Sequence, residues 1–388
     1  MTIERIRQLA AKYFPRVVEI RRHLHAHPEL SWQEHGTAAF VAAELNKLGF
    51  EVSTGIAKNG VVALLKGKEP QSRCLALRAD MDALPIEEAN DVPYKSCNKG
   101  VMHACGHDVH TANLLGAAMI LADLKVEIKG TIKFIFQPSE EKVPSGAEAM
   151  IKDGVLTNPP VDRIMGLHVS PELEAGTFGF CPGRFMASSD ELYITVKGKG
   201  GHAAQKEKLI NPLLVASHLL LALERLNEGD NSFVLSFGKI EGRGATNVVP
   251  DVVEIAGTLR CFDENFRTRM LQQIGDTTTT IGAQYKASCE LNVLSGYPVL
   301  LNDEPFTQQA KELAEQYAGD KYILELPKRM GSEDFAYYTH QVPGCFYRLG
   351  VGNTAKGITS GLHTPTFDVD ESALEQSIGL MAWLAMNC

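Results

Sequence analysis

Four short apolar runs in the first half of the chain limit its possible folds more than any other feature. They are VVALLKG (61–67), CLALRAD (74–80), TIKFIFQ (131–137) and RIMGLHV (163–169). A helical pattern, VHTANLLGAAMILADLK (109–125), lies between the second run and the third. Apolar strands that alternate with helices indicate an α/β layer in which helices cover a largely buried sheet. We therefore predict an α/β domain with a mixed sheet flanked by helices.

The segment 187–296 has a different order of predicted elements. Strand and helix patterns follow one another there as βαββαβ, which is the order of a ferredoxin-like unit. Its 110 residues are enough for a domain of their own. Helix and strand patterns of the first kind resume afterwards. We therefore predict a discontinuous catalytic domain, 1–186 and 297–388, interrupted by a small α+β domain, 187–296.

Length, charge and cysteine usage exclude several classes of protein. A chain of 388 residues exceeds one ordinary core, and its net charge of −9 argues against nucleic acid or an anionic membrane as the main partner. No apolar run approaches the roughly 20 residues of a membrane helix, and the start lacks the apolar core of a signal peptide. The eight cysteines form no CxxC pair. We therefore expect a cytoplasmic protein with reduced thiols.

Polar side chains gather where the predicted strands end. The acids and imidazole that follow the strands are Asp80, Asp82, Glu140, Glu141 and His168, and Cys105 and His107 precede the helix 109–125. Ligands of open α/β sheets bind at the carboxyl ends of the strands. Imidazole and thiolate suit zinc-like ions, whereas carboxylates suit harder ions. The set exceeds the four ligands of one ion and therefore predicts a pair of ions, a recurrent hydrolytic device.

The adjacent acids Glu140 and Glu141 suggest a division of labour. In an extended segment they point to opposite faces, so one can bind metal while the other takes a proton from water, as amide hydrolysis requires. Each feature alone also has a structural interpretation, since a double Glu after a strand is typical of a solvated turn. His202 in KGKGGHAA and Asn247 in GRGATNVVP are likewise compatible with hairpin and turn roles. The conjunction across several strands favours the metal site.

Nine motifs spread over the whole chain resemble one known family. They are RRHLHAHPELSWQE, ALRADMDALPI, HACGHDVHTA, FIFQPSEE, GLHV, GKGGHAA, TNVVP, GSEDFAYY and LHTPTFDVDE. Together they resemble the metallopeptidase family that holds the aminoacylases and the carboxypeptidase G enzymes. Within it, the chain is most similar to the amidohydrolase branch of hippurate hydrolases, N-acyl-amino-acid deacetylases and plant auxin–amino acid conjugate hydrolases.

This resemblance implies a role for ten residues. Two divalent ions per subunit (zinc, manganese, cobalt or nickel) are expected on Cys105, His107, Glu141, His168 and His363. His363 comes from the resemblance alone, because its loop, ITSGLHTPTF, has no strand pattern. The remaining roles are a general base, Glu140; an acid that orients a metal ligand, Asp82; an oxyanion stabiliser, His202; and two groups for the substrate carboxylate, Asn247 and Arg260.

The implied function is hydrolysis of the amide bond of N-acyl amino acids, such as hippurate-like or N-acetyl substrates, to an amino acid and a carboxylic acid. The alternative is a dipeptidase or carboxypeptidase with the same metal centre and a short peptide as substrate. The small domain would be a lid that also forms a homodimer, with His202 reaching the neighbouring subunit's site. A silent binding protein is disfavoured by Glu140 beside a full ligand set, and a thiol redox protein by the lack of a resolving cysteine near Cys105.

One departure from the family concerns the lid. Many relatives continue GGHAA with a Pro-His pair and an acidic residue, whereas this chain has GGHAAQKEKLINPL. The difference leaves the preference for a substrate side chain open, and it does not alter any of the predicted metal ligands.

Overall fold

The computed structural model describes residues 2–227 and 232–388, which divide into two compact units. The first contains the chain up to Gly183 together with Leu301–Pro327 and Asp334–Cys388, and the second contains Arg184–Leu300 and Lys328–Glu333. The predicted small domain, 187–296, lies inside the second unit. That this unit acts as a lid stays a prediction.

The helices and strands are numbered in chain order. The helices are α1 Ile3–Ala26, α2 His35–Lys47, α3 His107–Asp123, α4 Gly146–Lys152, α5 Pro212–Glu224, α6 Glu264–Gln284, α7 Glu304–Ala318, α8 Ala336–Thr339 and α9 Ala373–Asn387. The strands are β1 Glu51–Ile56, β2 Gly60–Lys66, β3 Cys74–Asp80, β4 Thr131–Gln137, β5 Arg163–Glu174, β6 Phe178–Phe180, β7 Gly183–Met186, β8 Asp190–Lys197, β9 Gly201–His202, β10 Val234–Glu241, β11 Val248–Val249, β12 Val252–Arg260, β13 Ser288–Ser295, β14 Leu300–Asn302, β15 Ile323–Glu325 and β16 Gly344–Gly352.

The first unit is built on a mixed sheet with the strand order β1-β2-β4-β3-β5-β16-β6-β15. Strands β4, β3, β5 and β16 run parallel to one another, whereas β2 is antiparallel to β4, β1 is antiparallel to β2 and β16 is antiparallel to β6. Every residue of β3, β4 and β16 is buried. This confirms the predicted mixed sheet, because strands covered on both faces have continuous apolar sequences.

The helix α3 lies in the interior of the first unit. It packs against β3, β5, α1 and α9, and its residues His107–Leu121 are all buried. A helix without an exposed face is apolar on every side, which agrees with its sequence, NLLGAAMIL. It begins at His107, two residues earlier than the predicted start. His107 is therefore the first helical residue and is held rigidly by the core.

The second unit has the ferredoxin-like architecture that the element order predicts. Its four-stranded antiparallel sheet has the order β10-β12-β8-β13, and α5 and α6 complete the βαββαβ unit. Residues along β8 alternate between buried and less buried positions, so one face of the sheet carries the core. That core includes Leu192, Ile194, Leu219 and Ile274. Of the helices that the structure describes, none combines the length and apolar character needed to cross a membrane.

Candidate metal centre

The parallel strands β3, β4 and β5 bring several ionisable side chains to one edge of the sheet. Asp80 is the last residue of β3, Glu140 and Glu141 follow β4 by three and four residues, and His168 lies in β5. The start of α3 packs beside this edge through its contacts with β3 and β5. Convergence at the carboxyl ends of parallel strands is the geometry that open α/β sheets provide.

The buried thiol of Cys105 lies at the middle of the cluster. Its Sγ atom is 3.3 Å from Nε2 of His168 and 3.3 Å from Nε2 of His363. Ligand atoms of Cys105, His107 and His168 lie within 4.8 Å of one another, and so do those of Cys105, Glu141 and His363. The two groups share Cys105, so the five residues form two adjoining sets with one sulfur atom in common.

His363 reaches the cluster from a loop near the end of the chain. Its Nε2 atom is 3.2 Å from Oε1 of Glu141, and its backbone N–H donates to the carbonyl of Ala104 at 2.8 Å. His363 has a φ of 59°, a left-handed conformation that is uncommon for a residue other than glycine. Such conformations concentrate at functional sites. The resemblance named this residue, whereas the strand pattern gave no indication of it.

Asp82 joins two of the segments that carry ligands. Its Oδ1 atom lies 3.2 Å from Nδ1 of His107 and accepts the amide N–H of Glu140 at 3.0 Å. Its Oδ2 atom accepts the amide N–H of Glu141 at 3.0 Å and the hydroxyl of Ser31 at 2.6 Å. The hydrogen bond to Nδ1 leaves Nε2 of His107 facing the cluster. One buried carboxylate therefore sets both the ring of His107 and the path of the Glu140–Glu141 segment.

The Glu140–Glu141 segment is not extended, which corrects the expectation that the two acids point apart. The chain turns at Ser139, whose φ is 50°, and a carboxylate oxygen of each acid lies 3.9 Å from Nε2 of His107. The turn is held by Glu34, a buried acid before α2 that accepts the amide N–H of Ser139 at 2.7 Å. Sequence reasoning missed Glu34, although it ends the quoted motif RRHLHAHPELSWQE.

The protonation behaviour of the site reflects its crowded charges. Burial favours the neutral form of His107, but the carboxylates of Asp80 and Asp82 raise its pKa to about 10. Burial and the carboxylates of Glu141 and Glu140 raise the pKa of the Cys105 thiol well above its usual value. Burial and the guanidinium of Arg348 lower the pKa of His168. A bound cation reverses this logic, since a coordinating thiol is deprotonated outright.

One buried atom at the centre of the cluster supports a metal site. Nε2 of His107 is buried without a hydrogen bond, and such an atom is costly unless something else satisfies it. Ligands 2.0–2.3 Å from a tetrahedral ion stand about 3.3–3.8 Å from one another, close to the separations described above. Thiolate, imidazole and carboxylate are also the donors that zinc-like ions select. The residues present therefore fit divalent cations.

The other three predicted site residues, His202, Asn247 and Arg260, lie in the second unit. His202 and Asn247 are neighbours: β9 pairs with β11 with His202 opposite Val248, and Ala203 donates its N–H to the carbonyl of Asn247 at 3.0 Å. Both side chains belong to exposed residues. Arg260 ends β12 and donates to the carbonyl of Met330 at 3.0 Å. The structure thus brings seven predicted residues together in the first unit and groups two of the three others.

The fold and the site together define a class of α/β proteins whose sheet carries, at the carboxyl ends of its strands, an acid, imidazole and thiol cluster suited to metal ions. Residues 76–387 match the model of peptidase family M20/M25/M40. The chain belongs to this family and is a hydrolase of amide bonds.

Two curated relatives cover nearly the whole chain. The N-acetyl-L-cysteine deacetylase of Bacillus subtilis is 40% identical over 362 residues, covering 92% of this chain and 84% of the relative. Thermostable carboxypeptidase 2 of Saccharolobus solfataricus is 37% identical over 378 residues, covering 96% and 95%. Among solved structures, a dinuclear metal-binding peptidase of the M20 family from Bacillus subtilis has a TM-score of 0.85 at 35% identity, covering 97% of this chain and 98% of that one. These findings confirm the resemblance that the motifs indicated.

Proposed function

We propose that this protein hydrolyses the amide bond of N-acyl amino acids and releases an amino acid and a carboxylic acid. The observation that carries the proposal is the convergence of Cys105, His107, Glu141, His168 and His363 on one cluster, with Glu140 beside it. The relative named as a deacetylase supports an N-acyl substrate. We assign the five clustered residues as ligands of two divalent cations, with zinc, manganese, cobalt and nickel as the candidate metals.

Divalent ions held at this site would lower the pKa of a water molecule and polarise the amide carbonyl of the substrate. Glu140 is the proposed general base. Its carboxylate takes a proton from the attacking water, whose hydroxide forms the new C–O bond of the carboxylic acid. Glu140 then delivers that proton to the amine nitrogen as the C–N bond breaks. Asp82 acts indirectly, because it orients His107 and holds the amides of Glu140 and Glu141. Orientation of this kind sets how well a ligand binds metal.

The second unit supplies the remaining proposed roles. We assign it as a lid in which His202 stabilises the oxyanion and Asn247 and Arg260 hold the substrate carboxylate. Two leucines on α5 are exposed to solvent, Leu214 with 59% of its surface and Leu221 with 65%. They are seven residues apart and so share one face of the helix. We propose that this face forms a homodimer, the arrangement in which His202 would serve the partner's site.

The second candidate function is a dipeptidase or carboxypeptidase that uses the same centre. The relative named as a carboxypeptidase favours it. Both functions need the same base and metal ligands and differ only in whether the acyl group is itself an amino acid. We also propose a cytoplasmic location, supported by the free thiol state of each of the eight cysteines, all of them within the described residues.

A comparison of two adjacent variants tests the proposal. Glu140→Gln is expected to keep its metal and lose turnover by about 10²–10⁴-fold, because it removes the proton acceptor alone. Glu141→Gln is expected to lose metal, and Glu127→Gln in an exposed turn serves as the control. Elemental analysis gives the metal content, and N-acetyl, N-benzoyl and dipeptide substrates give the rates. Near-normal turnover of Glu140→Gln with full metal content would remove Glu140 from its role. Preference for dipeptides would favour the second function.

A further inference from the structure

His110 is a buried histidine that the proposed reaction does not use, one turn along α3 from His107. Both of its ring nitrogens have partners: Nδ1 lies 2.6 Å from Oδ1 of Asp80, and Nε2 lies 2.9 Å from the backbone nitrogen of Val169. A backbone amide is always a donor, so Nε2 must accept. Nδ1 therefore carries the proton, and its N–H donates a hydrogen bond to Asp80. The contacts select one tautomer of His110.

Asp80 is itself held in place by buried groups. Its Oδ2 atom accepts from Arg78 at 2.6 Å, and Arg78 also donates to Asp334 at 2.7 Å. The hydroxyl of Thr111 donates to the backbone carbonyl of Asp80 at 2.7 Å. The side chains of Arg78, Asp80 and Asp334 have no solvent exposure. The acceptor for His110 is thus fixed by the core of the first unit.

The backbone of Val169 connects His110 to a proposed metal ligand. Its N–H donates to Nε2 of His110, and the Val169 carbonyl lies 2.7 Å from Nδ1 of His168. Since a carbonyl only accepts, Nδ1 of His168 carries a proton and Nε2 is left with its lone pair. That Nε2 atom is the one 3.3 Å from Sγ of Cys105. The pairing of β5 with β3 ends at Gly166 opposite Arg78. Beyond it, the N–H of Val169 in β5 donates to His110 and not to a residue of β3.

We propose that His110, locked by Asp80, is a positioning residue that sets the ring of His168 through the backbone N–H and carbonyl of Val169. The chain of contacts runs from Asp80 to His110, to Val169, and to His168. It gives Asp80 a structural task in the site. It also argues against a third metal site on Asp80, His107 and His110, because both nitrogens of His110 are already engaged. The inference rests on the proposed role of His168 as a metal ligand.

Two substitutions of His110 separate its two contacts. In His110→Gln the side-chain oxygen can reach the place of Nε2 and accept from Val169, whereas in His110→Asn the amide can donate to Asp80 but leaves the Val169 N–H without an acceptor. His110→Asn is expected to weaken binding of one Co²⁺ ion by about 10–100-fold. His110→Gln should lose much less affinity. His35→Asn, at the exposed start of α2, is the control.

The affinities are measured by competition with a chelator, and the visible spectrum of the Co²⁺-loaded protein reports the ligand geometry. A changed spectrum in His110→Asn that is restored in His110→Gln would support the proposal. Equal losses in the two variants, or full affinity and an unchanged spectrum in His110→Asn, would overturn it. A wild-type protein that binds no Co²⁺ would instead refute the metal site of the proposed function.

A measurement on the unsubstituted, metal-free protein avoids any folding defect of a variant. Nitrogen-15 NMR of labelled histidines distinguishes the two ring tautomers. We expect Nδ1–H for both His110 and His168. An Nε2–H tautomer at either ring would contradict the contacts from which the inference starts.

Discussion

Replacement of Asp82 by asparagine tests whether one carboxylate organises the metal centre. In the wild type, Oδ1 of Asp82 accepts hydrogen bonds from His107 and from the amide of Glu140. Oδ2 accepts hydrogen bonds from the amide of Glu141 and from the hydroxyl of Ser31. An asparagine has one acceptor oxygen and one NH₂ group. Ser31 can rotate its hydroxyl to accept from that group, but a backbone amide cannot. Whichever way the new side chain is turned, at least one buried N–H at Glu140 or Glu141 loses its acceptor.

The magnitude of the effect follows from these contacts. An unsatisfied buried donor costs about 1–3 kcal/mol, and loss of a charged partner of a metal-binding histidine weakens metal affinity by about 10–100-fold. Both losses act on the same segment, so Asp82→Asn should lower metal affinity by at least tenfold and reduce turnover at fixed metal concentration. Ser31→Ala removes one of the four contacts and keeps the charge of Asp82. It should therefore have a much smaller effect.

Equilibrium dialysis against buffered free metal, followed by elemental analysis, gives the affinities of the wild type, Asp82→Asn and Ser31→Ala. Thermal unfolding of the metal-free proteins shows whether the fold survives. If Asp82→Asn bound both ions as tightly as the wild type, the reasoning that Asp82 fixes His107 and the two amides would be wrong. An equal loss in Ser31→Ala would also contradict it, because the charge would then be irrelevant.

Three further predictions concern other parts of the chain. Gly106→Ala should destabilise the protein by at least about 1–2 kcal/mol and deplete metal, because Gly106 has a φ of +86° and a Cβ atom would lie 2.5 Å from Val169. Thermal unfolding and elemental analysis measure the two effects, and unchanged stability and metal content would refute the steric argument. Burial raises the pKa of Asp370, but Lys356 and other donors outweigh it and lower the pKa to about 2. The ionised carboxylate of Asp370 therefore stabilises the folded protein above the unfolded pKa of about 3.9, and this contribution is lost as the pH falls towards 2. Asp370→Asn should cost about 1 kcal/mol at neutral pH, screened by solvent around Lys356, and the difference from the wild type in urea unfolding should disappear near pH 2. Leu214→Glu should shift the protein towards monomer in sedimentation experiments, and an unchanged mass would exclude this face of α5 as the dimer interface.

Local sequence patterns predicted the elements that carry the site. The runs at 74–80 and 131–137 coincide with β3 and β4, because strands buried on both faces must be continuously apolar. The βαββαβ order of the second unit was equally visible, since each of its elements has its own period and turn residues. The sequence also predicted the metal-binding chemistry of the acids, imidazoles and thiol at the strand ends, because donor type alone selects the class of ion.

Contacts between distant segments could not be predicted in the same way. His363 meets Cys105 across 258 residues of sequence, and Asp82 holds Glu140 across 58. The turn at Ser139, which brings both glutamates to His107, depends on an amide hydrogen bond to Glu34, 105 residues away. No local period encodes such pairs, because they form only when the sheet, α3 and the final loop pack together.

The amino-acid sequence by itself determined which elements form and which donor atoms stand at their ends, since propensity, apolar period and side-chain chemistry are local properties. The tertiary structure alone decided that Asp82 binds two consecutive amides and that His110 takes the place of a strand partner for Val169. It also decided that His363, with its backbone in the left-handed conformation, enters the cluster. Each of these depends on atomic positions that close packing of the core fixes, and packing is a property of the whole unit.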